Sequence, residues 1–129
     1  MEDDYLVDSD ILIDHVRRPG LSADFFRSAF EGRRRLSISV ATLVELYSAE
    51  SVLRLDGRLV VDNLVAIFKI VPLNNHIAKG AGLLRAQYSL GFADAIIAAT
   101  AQAESATLVT RNVKHFTKVG HIITVKKPY

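Results

Sequence analysis

The chain alternates short apolar runs with longer amphipathic stretches. Tyr5-Leu6-Val7 runs into the polar turn Asp8-Ser9-Asp10, and apolar positions at helical spacing (Ile11, Leu12, Val16) follow at once. That order predicts a buried strand feeding a helix over about Ile11 to Arg18, which Pro19-Gly20 stops. Ser22 is expected to cap a second helix that carries Phe25, Phe26, Ala29 and Phe30 on one face and ends at Gly32. Leu36-Ser37-Ile38-Ser39-Val40 reads as a strand that passes directly into a helix over Ala41 to Glu50. A strongly apolar helical stretch covers Leu59 to Phe68, and Ile70 to Leu73 reads as a third strand, with Pro72 marking an end or an edge.

A helix over Asn75 to Tyr88 comes next. Gly91-Phe92-Ala93-Asp94 then opens a helix so rich in alanine that it must pack closely on more than one side. Thr107 to Thr110 is a fourth strand, followed by Arg111-Asn112 and a helical turn over Val113 to Phe116; His121 to Val125 is a last strand. Strands and helices in alternation predict an α/β fold, with a mostly parallel sheet of about five strands flanked by helices. Residues 1–129 are the size of a single domain, with neither repeats nor a linker.

Half of the residues are apolar, enough for a real core, yet no run is long enough to span a bilayer. The acidic start Met1-Glu2-Asp3-Asp4 has the wrong sign for a signal peptide, so a cytoplasmic address is expected. The absence of cysteine removes disulfides, thiolate metal sites and cysteine nucleophiles. The net charge of +2 is too small for a polycationic coat. Arg33-Arg34-Arg35 is the one basic cluster; it reads either as a solvated loop or as a contact to phosphates.

The chemistry lies in the acids. Asp8, Glu45 and Asp94 stand at strand-to-helix junctions or helix starts, and Asn112 follows the fourth strand with Thr110 beside it. Taken alone, Asp8, Asp10 or Asp94 could simply cap a helix, Glu45 could be a solvated helix residue, and Asn112 a turn residue. Acids at successive junctions are harder to explain as caps. In a parallel sheet they converge at the carboxyl ends of the strands, where ligands bind. Crowded carboxylates repel unless a cation sits among them. Mg²⁺ takes oxygen ligands, and ions of this kind support in-line hydrolysis of phosphodiesters.

Four segments resemble the PIN domain ribonucleases, and within them the VapC-type toxins: Tyr5 to Ile13, Ile38 to Leu46, Phe92 to Ala101, and Leu108 to Phe116. They stand in family order and cover essentially the whole chain. The resemblance implies a PIN-like three-layer sandwich and a Mg²⁺- or Mn²⁺-dependent endoribonuclease. Asp8, Glu45 and Asp94 match the family's acidic metal positions. Asn112 falls where a fourth acid or an asparagine occurs, and His115 stands where an aspartate is common. Ser9, Thr42 and Thr110 are placed to orient carboxylates or waters. The resemblance also implies an RNA substrate, a homodimer, and a VapB-like antitoxin that packs in an apolar groove.

Three other readings remain open on the residues. Asp8 and Asp10 match the opening Asp-x-Asp of the haloacid dehalogenase phosphatases, although no late paired aspartates follow. A receiver domain would need a phosphorylatable Asp at the end of its central strand, and its nearest candidate is Asp56 in a polar loop. A PIN-like domain that only binds RNA or a partner is the third.

Overall fold

A computed structural model describes residues 4–129; the acidic start Met1 to Asp3 lies outside the described residues. Its strands are β1 (Tyr5–Val7), β2 (Leu36–Ser39), β3 (Lys69–Val71), β4 (Thr107–Val109) and β5 (Val125–Lys126). They form one sheet in the order β3-β2-β1-β4-β5, and every pairing among them is parallel. The helices are α1 (Ser9–Arg17), α2 (Pro19–Glu31), α3 (Val40–Leu46), α4 (Leu55–Val65), α5 (Asn75–Tyr88) and α6 (Phe92–Ala103). Two 3₁₀ segments, Glu50–Leu53 and Val113–Val119, complete the set.

Strand alternation divides the core into two layers. Leu6 and Leu108 point into one cluster with α5 and α6, which also holds Ile97, Phe116 and Val119. Tyr5, Val7, Ile38 and Val109 point into the other, with Ile11, Leu12, Phe25, Phe26 and Leu64 from α1, α2 and α4. The alanines of α6 allow close helix approach: a Cβ built at Gly80 of α5 would lie 3.7 Å from the Cβ of Ala99.

The element order locates a crevice. The chain moves outward from β1 through β2 to β3, then returns to place β4 on the other side of β1. The reversal falls between β1 and β4, and in open parallel sheets ligands bind beyond the carboxyl ends of the strands at such a point.

Several sequence expectations are corrected. Ser22 caps nothing: Pro19, with its fixed φ, starts α2. Ser22 is fully buried, with its hydroxyl 2.7 Å from His15 Nδ1. The last strand lies later than His121 to Val125, because the segment after Val119 turns through Gly120 before pairing at Val125. The helix expected over Leu59 to Phe68 begins at Leu55 and ends at Val65, and Asp56 sits in its first turn rather than in a loop. Asp94 lies inside the first turn of α6, so it does not cap that helix; Gly91 holds the cap position.

Gly57 yields a sign reversal. Alanine normally stabilises a helix by about 1 kcal/mol relative to glycine. Here a Cβ would meet the backbone oxygen of Ser51 at 2.1 Å and its carbonyl carbon at 2.8 Å. Gly57→Ala is therefore expected to destabilise by roughly 1–3 kcal/mol, the cost of overpacking against backbone. A urea titration checks this; a variant as stable as the parent would contradict the close approach.

Candidate active site

Asp8 follows β1 directly, in extended conformation, and serves as the N-cap of α1. The capping role and the site role coexist because the carboxylate uses its oxygens separately. Oδ1 accepts from the backbone N–H of Ser9 at 2.8 Å, and Oδ2 accepts from the hydroxyl of Thr110 at 2.8 Å. Thr110 follows β4, so this second bond closes the crevice between β1 and β4. Asp8 is only 6% exposed. Burial first, then the neighbouring carboxylates of Asp10 and Glu45, push its carboxyl from an ordinary 3.8 up to about 6, against the opposing hydrogen bonds from Thr110 and Ser9.

Glu45 comes from the last turn of α3. Its Oε1 accepts from the hydroxyl of Ser9 at 3.0 Å, and the same hydroxyl lies 3.5 Å from Asp8 Oδ1. Ser9 thus bridges two acids that are 37 positions apart. Glu45 is exposed, as is Val44, whereas Thr42 and Leu46 of the same helix are buried. Thr42 stands one turn before Glu45, fully buried, and its Oγ1 has no hydrogen-bond partner among the described residues.

Asn112 reaches the cluster through its backbone, whose N–H donates to Thr110 Oγ1 at 3.0 Å. The Thr110 hydroxyl therefore takes one bond and gives another to Asp8. Asp94 is held apart from this network: its Oδ2 lies 3.4 Å from His115 Nδ1, and both side chains are partly exposed. Asp8, Ser9, Glu45 and Thr110 are joined directly, Asn112 by its backbone, and Asp94 only to the segment that follows Asn112. No three acidic or histidine side chains among the described residues converge tightly enough to enclose an ion.

Asp10 has a different task. Its Oδ2 accepts from the backbone N–H of Arg111 at 2.9 Å, which ties α1 to the turn after β4. Burial raises its carboxyl above the usual range, and Arg111 opposes that rise. Asp10 Oδ1 is buried without a partner among the described residues.

Asp14, Arg111 and Tyr129 also stand here. Asp14 is buried and pairs with Arg111 at 2.7 Å; Tyr129 donates to it at 2.6 Å. The signal for Asp14 was its place on the buried side of α1, together with Ile11 and Leu12.

A parallel five-stranded sheet with acids at the β1–β4 crevice is the arrangement of a PIN domain, and the model of the PIN domain family matches residues 5–122. The chain belongs to that family. It is 37% identical to Ribonuclease VapC10 of Mycobacterium tuberculosis over 116 residues, covering 86% of this chain and 84% of that protein. Among solved structures it is similar to a toxin–antitoxin complex from Klebsiella pneumoniae, with a TM-score of 0.77, 30% identity and 98% of each chain covered. A DNA-bound VapBC from Salmonella typhimurium shares the fold at a TM-score of 0.80 and 21% identity, covering 97% of this chain and 98% of that one.

Proposed function

We propose that this protein is a metal-dependent endoribonuclease of the VapC type, the toxin of a toxin–antitoxin pair. The observation that carries the reading is Asp8: a buried carboxylate at the topological switch point, joined by hydroxyls to Glu45 and to the strand on its other side. The 37% identity to a protein named as a ribonuclease supports the reaction class.

The donor set fits a hard divalent cation. Asp8, Glu45 and Asp94 offer carboxylate oxygens, and the chain has no thiol to favour a softer metal. Thr42 Oγ1 and Asp10 Oδ1 are buried without partners, as expected of groups that complete their bonding to an ion's hydration shell. Asp8 and Glu45, joined through Ser9, would hold the ion, Asp94 would complete the set by leaving His115, and Asn112 would add an amide. Bound Mg²⁺ or Mn²⁺ supplies Lewis-acid charge and lowers the pKa of water. Ser9 and Thr110 fix the carboxylate orientations, and Thr42 presents a hydroxyl on the Glu45 helix.

An antitoxin partner fits the groove beside Glu45. Ile13, Val16, Leu46, Ala49 and Val61 line a cavity of about 470 Å³ together with Arg17, Glu45 and Glu50, so a mainly apolar segment would match it. A homodimer fits a second apolar area, where exposed Leu73 and Phe92 border a cavity of about 170 Å³ between α5 and α6. No helix among the described residues is long and apolar enough to cross a membrane; a cytoplasmic setting, where RNA is at hand, belongs to this proposal.

Partner-free protein incubated with total cellular RNA tests the reading. Discrete cuts are expected with Mg²⁺ or Mn²⁺, lost with EDTA and in Asp94→Asn. Cuts that survive both would overturn the metal mechanism. A wild type that binds RNA and metal but cuts nothing would favour a binding-only domain.

A further inference from the structure

Asp14 is 4% exposed, and its carboxylate is fully occupied. Arg111 grips it with two nitrogens, Nε 2.7 Å from Oδ2 and Nη2 3.2 Å from Oδ1. The Tyr129 hydroxyl donates to Oδ2 at 2.6 Å, and Arg18 lies 3.8 Å from Oδ1. Burial and the bond to Asp14 raise the Tyr129 hydroxyl above its usual range, so it remains a donor. A two-pronged guanidinium–carboxylate contact fixes orientation as well as position.

The grip acts on a short turn. The backbone N–H of Arg111 donates to Asp10, and that of Asn112 donates to Thr110 Oγ1. Thr110 in turn donates to Asp8 Oδ2. Displacing the Arg111 side chain therefore displaces the group that orients Asp8. As a source of stability a buried ion pair is poor, since apolar residues of similar volume often do as well or better. As a positional device it has a clear task.

We propose that Asp14, Arg111 and Tyr129 form a latch that positions the 110–112 turn, and through it Asp8, for the reaction. Arg111 is a positioning residue here; its guanidinium is turned to Asp14. The inference rests on the nuclease reading above.

The test uses Arg111→Lys, Asp14→Asn, the double variant and Tyr129→Phe. Steady-state cleavage of a quenched fluorescent RNA hairpin is followed in Mn²⁺, with Mn²⁺ affinity measured by calorimetry. Arg111→Lys keeps the charge and loses the fork. It and Asp14→Asn should each lower kcat by about 10- to 100-fold, the usual cost of disturbing groups that orient metal ligands, and leave KM within about twofold. The double variant should be no worse than the worse single one, and Tyr129→Phe should fall between wild type and Asp14→Asn. Mn²⁺ affinity should weaken in the same order. Should Asp14→Asn fail to fold, Arg111→Lys and Tyr129→Phe carry the comparison. A raised KM with kcat kept would make Arg111 a substrate contact. Lower stability with kcat kept would make the cluster merely structural, and additive losses would uncouple its members. Each of these three overturns the latch alone. A wild type that cleaves no RNA overturns the nuclease reading and the latch with it.

Discussion

Asp8→Asn is expected to abolish cleavage and, at pH 7, to make the protein more stable. The two effects have one cause. Burial and the carboxylates of Asp10 and Glu45 hold the Asp8 carboxyl at about 6 in the folded protein, against an ordinary 3.8. The folded state therefore binds this proton more tightly than the unfolded state. Stability falls as pH rises from about 4 to about 6, and above that the ionised carboxylate carries a constant cost. A shift of about two units corresponds to roughly 3 kcal/mol at most. Asparagine keeps an oxygen for the Ser9 N–H, turns its amide N–H to the Thr110 hydroxyl, which then accepts in place of donating, and removes the charge. A gain of about 1–3 kcal/mol is expected at pH 7, or roughly 5 °C in Tm, fading below pH 4. Mn²⁺ should raise the Tm of the wild type and not of the variant, since a ligand stabilises only the form that binds it. Thermal melts across pH, with and without Mn²⁺, check this. A variant less stable at pH 7 than at pH 4, relative to wild type, would contradict the sign.

Phe116→Ala should cause the largest loss of stability. Phe116 is 1% exposed and packs in the core layer with Leu108, Val119 and the α6 alanines. Truncating a buried phenylalanine costs about 3–5 kcal/mol. Ordinary domains have only about 5–15 kcal/mol in all. The same 3₁₀ segment carries His115, so the contact to Asp94 should loosen as well. Leu83→Ala is the control: Leu83 is 70% exposed, and its loss should stay within about 0.5 kcal/mol. Urea unfolding of both variants separates the cases, and a cost below that of Leu83→Ala would contradict the core assignment.

β1 to β4 were legible because each holds a short apolar run near a polar turn, and the parallel order followed from the helices between them; β5, only Val125–Lys126, has no such run. Asp8 and Thr110 were legible as strand-end residues for the same reason. The contact between them spans 102 positions, so only the topology, with β4 returning to the side of β1, reveals it. The Asp14–Arg111–Tyr129 cluster was not legible because Arg111 and Tyr129 lie 97 and 115 positions from Asp14, and only Arg111 stands at a strand end. Ser22 was misjudged because a serine after Pro-Gly suits a cap; the proline at N1 had already started the helix. The exposure of Glu45 was not legible, because its sequence neighbours point to different sides of α3, Leu46 inward and Val44 to solvent.

One measurement bears most directly on the central claim, that the carboxyl end of β1 and β4 holds a divalent ion. Substoichiometric Mn²⁺ broadens nearby amide signals in a nitrogen–proton NMR spectrum. The account predicts broadening at Asp8, Ser9, Glu45, Asp94 and Thr110 to Asn112. Arg35 and Ala106, which precede β2 and β4 at the opposite end of the sheet, should keep sharp signals. Broadening confined to surface acids such as Asp24 or Glu31, or none at the strand ends, would contradict it.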